Sequence, residues 1–157
     1  MNDMALASAI HVLAVVIWIG GVSFVTTILM PAIRRGHPPQ DRLKAFLRFE
    51  GPFAWQARLS VAAAGMSGLY MLWRGDLWTR FGSARFWWMH AMVGVWFVFA
   101  VMLFVIEPFV LHRRLATLAS AAGAGPAFSR IERLHRVLLA LALIAVVGAA
   151  GGTHGGF

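Results

Sequence analysis

Long apolar runs separated by short basic stretches set the layout of this chain. No charged residue occurs from Met4 to Met30, and at about 1.5 Å per residue such a helix crosses a hydrocarbon core about 30 Å thick. Helix 1 is therefore expected over about 4–30, closed by Pro31 and the basic pair Arg34 and Arg35. The stretch Gln40 to Phe49 is polar and helix-like, with Arg42, Lys44 and Arg48, which suits a short interfacial helix. Helix 2 is expected over about 53–73, bounded by Trp55 at one interface and by Tyr70, Trp73 and Trp78 at the other. A loop follows from Gly75 to Ser83. Helix 3 is expected over about 85–111, loosened near Pro108. A flexible Gly/Ala-rich connector from Ala116 to Ser129 leads to helix 4, about 129–150, and a Gly-rich tail.

This pattern predicts one all-α transmembrane domain over 1–157, an integral membrane four-helix bundle. Composition agrees with it. Hydrophobic residues make up 60% and charged residues 13%, with a mean hydropathy of +0.74, values that do not describe a soluble surface. Net charge is +8, which in a soluble chain would suggest nucleic acid. Here the basic residues lie between apolar spans, so membrane lipid and topology account for them and no nucleic-acid partner is expected. Of the 14 basic residues, only Arg74, Arg80 and Arg85 belong to the middle loop, and the other eleven flank the first and last hairpins. That asymmetry predicts both termini on the outer, periplasmic side of a bacterial inner membrane. The start Met1-Asn2-Asp3-Met4 lacks a positively charged leader, so the first span is expected to be retained. With no cysteine in the chain, disulfide and thiolate chemistry are excluded.

Ionisable groups inside a span are costly and mark candidate sites. His11 lies roughly 6 to 9 Å below the outer boundary of helix 1, and His90, near the same end of helix 3, comes out level with it. Two imidazoles at one depth on two helices suit the axial ligation of haem b. Gly20, Gly21, Gly65, Gly68 and Gly94 offer space for a flat ring, and Trp18 shares the His11 face and would pack on it. His112 and His135 form a secondary pair near the inner side, where a second haem is conceivable, although neighbouring arginines also explain them. Glu107 is expected to pair with Arg58 at the same depth, or else to handle protons beside a quinone or porphyrin. Arg48 and Arg58 are alternatively suited to the carboxylates of a bound ligand. Copper is a further reading, resting on Met89, His90 and Met92. The glycine faces would also serve a homodimer.

The run Ile10-His11-Val12-Leu13-Ala14-Val15-Val16-Ile17-Trp18-Ile19-Gly20-Gly21 resembles the first helix of HemJ-type protoporphyrinogen oxidases and of CopD-like membrane proteins. Trp88-Met89-His90-Ala91 is similar to the segment where the HemJ group carries its second helix-borne histidine. The resemblance implies a small helical membrane protein binding haem b through His11 and His90. Where that group has a lysine shortly after the second histidine, this chain has Met92, and its first helix ends in Ile28-Leu29-Met30-Pro31 rather than in the group's aromatic and arginine pattern. Electron exchange with quinol is the leading expectation. Porphyrinogen oxidation and CopD-like copper handling are the alternatives that the resemblance supplies.

Overall fold

The computed structural model describes residues 2–111 and 124–153, and among these every regular element is helical. Helix α1, Asp3–Phe24, opens with the Asn2 side chain accepting the Met4 N–H at 3.1 Å, which satisfies one of the donors a helix start leaves free. A π-helical segment, Val25–Leu29, carries the rod on into α2, Met30–Gly36. The helix thus passes through Pro31 instead of stopping before it. The wider π turn relieves the clash of the proline ring with the preceding turn. Just upstream, the Thr26 and Thr27 hydroxyls donate to the carbonyls of Val22 and Ser23 at 2.6 and 2.7 Å.

Helix α3, Arg42–Arg74, is one rod of 33 residues with Pro52 inside it. The interfacial helix and helix 2 of the sequence reading are therefore continuous. Gly75 and Asp76, the latter at φ 48°, turn the chain into two short 3₁₀ segments, Leu77–Gly82 and Ala84–Phe86. Helix α4, Trp87–Val101, follows and passes into a ten-residue π-helical run, Met102–Leu111, that contains Pro108. Helix α5, Ala124–Thr153, starts earlier than expected. Ala124 to Ser129 are already helical, and Ala124 and Ala127 favour that conformation. The rest of the expected connector and His112 lie outside the described residues.

Three helices, Asp3–Gly36, Ala84–Pro108 and Ala124–Gly152, are long and apolar enough to cross a membrane. The fourth rod, α3, carries Arg42, Lys44, Arg48, Glu50 and Arg58 in its first half. Contacts fix the relative directions. Asp3 meets Tyr70 and Arg74, and Gly21 faces Phe53, so α1 and α3 are antiparallel. Trp87 sits over Gly148, and Trp88 over Gly152, so α4 and α5 are antiparallel too. Ala14, Trp18 and Val22 of α1 form a central core with Val61 and Ala64 of α3, Phe99 of α4, and Leu138 and Leu139 of α5. A second core at the other end joins Val25, Met30, Ile33, Leu43, Phe46 and Phe128.

Candidate functional site

His11 turns toward α3. Its Nδ1 lies 2.9 Å from the Ala64 carbonyl oxygen and 3.2 Å from the Ser67 Oγ. A carbonyl only accepts, so Nδ1 carries the proton, and the Ser67 hydroxyl, which itself donates to the Ala63 carbonyl at 2.6 Å, is a second acceptor. The neutral ring is left with its lone pair on Nε2. The ring also sits against Gly68, where an added Cβ would come within 3.2 Å of Cε1. Ala64 and Ser67, i and i+3 on one face of α3, are the residues that sequence reasoning missed. A serine in an otherwise apolar stretch was the available signal.

His90 is exposed and faces the 3₁₀ turn before its own helix. Its Nε2 is 3.0 Å from the Phe81 carbonyl, its Nδ1 is 3.3 Å from the Phe86 carbonyl, and the Phe81 ring meets it edge-on at 5.2 Å. The hydrogen-bond partners of His11 lie on α3 and those of His90 in the turn before α4, so the structure does not join the two imidazoles through a shared contact. The neighbours Trp88 and Met89 take the buried face of α4 instead.

The glycines and Trp18 are used in packing. Trp18 is 5% exposed and stands edge-on to Phe99 at 4.9 Å, with its indole N–H buried and without an acceptor. A Cβ on Gly21 would meet the Phe53 ring at 2.9 Å. Gly65 admits the Trp96 indole, whose N–H donates to the Val61 carbonyl at 2.9 Å. Of the five glycines proposed for ring space, Gly20 and Gly94 alone have nothing within 4 Å of an added Cβ. Gly94 lies one turn beyond His90 on the exposed side of α4. His11 thus fits the part of an axial ligand, whereas Gly21, Gly65 and Gly68 are filled by this chain's own side chains and do not fit the part of a ring cradle.

Arg58 and Glu107 do pair, at 2.9 Å, with 28% and 13% of their side chains exposed. Arg58 also donates from Nε to the Leu103 carbonyl at 3.0 Å. In a π turn that carbonyl would accept from the residue five positions on, which is Pro108 and has no N–H to give. Arg58 takes the place of that donor. Arg48 is exposed on α3. His135 donates from Nδ1 to the Ile131 carbonyl at 3.0 Å and meets Phe46 edge-on at 6.0 Å. Met89 is buried while His90 is exposed, which splits the methionine-histidine run between two faces. Glu132, not singled out by sequence, is 5% exposed and pairs with Arg34 at 3.7 Å and with Arg136. Among the described residues no three His, Asp or Glu side chains gather as a metal site. No family model, curated protein or solved structure matches the chain.

Proposed function

We propose that this chain is a four-span bundle of a bacterial inner membrane, with both termini outside, that binds haem b through His11 and exchanges electrons with quinol. One observation carries the reading. The Nδ1–H of His11 is fixed by a backbone carbonyl and a hydroxyl within an apolar helix pair. Metal-ligating histidines are oriented in this way, with the second nitrogen left free to bind. A half-buried imidazole within a span is expensive without such a role.

When bound, haem b supplies a one-electron centre whose potential follows from its axial ligands and its burial. The residues divide the remaining tasks. Ala64 and Ser67 hold the His11 tautomer and ring plane. His90 would be the second residue to hold the group, beside the open face at Gly94. The resemblance to HemJ-type and CopD-like proteins at Ile10 to Gly21 agrees with this assignment. The four-span topology is supported by the antiparallel contacts and by the crowding of basic residues at one end.

The test is reduction of the detergent-purified protein by a short-chain quinol, followed optically. Reduced haem bands that appear on quinol addition, without added porphyrin, are expected. Protein purified without haem, despite an ample haem supply during expression, would overturn the proposal.

A further inference from the structure

At the end of the molecule formed by α2 and the start of α5, two arginines from different helices converge on one buried carboxylate. Arg34 reaches the Glu132 Oε1 at 3.7 Å and Arg136 reaches the same oxygen, while the arginine side chains remain 52% and 56% exposed and the Glu132 side chain 7%. One negative charge thus anchors two positive ones. Each guanidinium has five N–H donors, so most of them remain available to a further acceptor. Glu132 also limits the rotamers of both side chains, which lowers the entropy lost when an anion binds between them. Arg35, Arg130 and Arg133 are exposed nearby and add to the positive field. Below this charge the surface is apolar. Ala140, Leu143 and Val147 follow Arg136 along α5 at helical spacing, Leu143 and Val147 48% and 67% exposed, and Phe24 and Ile28 are exposed on the neighbouring rod.

We infer that the seam between α2 and α5 is a binding site for an anionic diacyl phospholipid. Its phosphate lies between Arg34 and Arg136, and its acyl chains run down the Leu143–Val147 side of α5 beside Ile28 and Phe24. Guanidinium forks match phosphate oxygens in geometry as well as charge, and basic pockets between spans at the cytoplasmic face are where anionic headgroups bind. The continuous run from phosphate-binding arginines to exposed aliphatic side chains selects a lipid over a free anion. The inference rests on the membrane-spanning reading and is independent of haem.

The experiment is native mass spectrometry of the full chain in detergent, titrated with phosphatidylglycerol or with phosphatidylcholine of the same acyl chains, and repeated in excess inorganic phosphate. Phosphatidylglycerol adducts that exceed phosphatidylcholine adducts and survive inorganic phosphate are expected. Arg34→Gln, which leaves the Arg136–Glu132 pair in place, should weaken phosphatidylglycerol binding about fivefold, and Arg34→Gln with Arg136→Gln should weaken it by about that factor again. Arg80→Gln, which removes the same charge at the other end, should leave it unchanged. Equal binding of the two lipids, or equal losses in Arg34→Gln and Arg80→Gln, would overturn the site. Displacement by inorganic phosphate would overturn the lipid assignment. Recovery of the chain from the membrane-free fraction would instead defeat the membrane reading beneath it.

Discussion

Replacing Arg58 with methionine tests whether the polar cluster at the Pro108 turn holds α3 to the π-helical run that follows α4. The change keeps an unbranched side chain but removes the Nη2–Glu107 pair at 2.9 Å and the Nε–Leu103 hydrogen bond at 3.0 Å. Breaking a fully buried ion pair from one side costs roughly 3–5 kcal/mol. With 28% and 13% of these side chains exposed, solvent screening lowers that to about 2 kcal/mol. The Leu103 carbonyl, left without a donor because Pro108 has none to give, adds about 1 kcal/mol. Arg58→Met should therefore destabilise by about 3 kcal/mol in total. The double variant Arg58→Met with Glu107→Leu should recover most of this loss and retain only the carbonyl share of about 1 kcal/mol, since an apolar pair replaces a buried ion pair at little cost. Reversible unfolding in mixed micelles, titrated with a denaturing detergent and followed by circular dichroism, gives both values. A single variant within about 0.5 kcal/mol of wild type, or a double variant less stable than the single one, would show that this cluster does not hold the two helices together.

Other consequences follow from the same contacts. Gly65→Val places a branched side chain where the Trp96 indole lies, and should cost about 2 kcal/mol in the same unfolding assay. Gly94→Ala, which meets nothing within 4 Å, should stay within about 0.5 kcal/mol of wild type. Because the chain has no cysteine, single cysteines report topology directly. Asn2→Cys should react with a membrane-impermeant maleimide on intact spheroplasts, and Ser129→Cys should react only after lysis. The opposite pattern would invert the orientation.

The helical class and three long apolar helices were legible in the sequence because runs such as Met4 to Met30 carry no charge over a full bilayer crossing. The Arg58–Glu107 pair was legible as well, since residue counting alone places the two at one depth. Boundaries at prolines were not. Pro31 read as a stop and the stretch from Gln40 to Trp73 as two helices, yet π-helical and continuous α-helical backbone carry the chain past Pro31 and Pro52. The facing of side chains was hidden for a different reason. Along α1 and α4 nearly every position is apolar, so periodicity says little about which side turns inward. Depth placed His11 level with His90, but only packing showed that Ala7, Ala14 and Trp18 turn the His11 side of α1 toward α3. On α4 it showed Trp88 and Met89 buried and His90 on the exposed side. The glycines looked like space for a ring. In the fold, Gly65 and Gly68 are filled by Trp96 and His11, which no spacing rule within one helix reveals.

In the proposed function His11 is the ligand, its free nitrogen set by the bonds of Nδ1 to Ala64 and Ser67. The most direct test is the dithionite-reduced absorption spectrum of purified wild type beside His11→Ala, each recorded with and without added imidazole. Sharp α and β haem bands are expected in wild type, with their loss in His11→Ala and partial return when free imidazole occupies the emptied position. Bands unchanged in His11→Ala would contradict the ligand role and assign that histidine to packing against α3 alone.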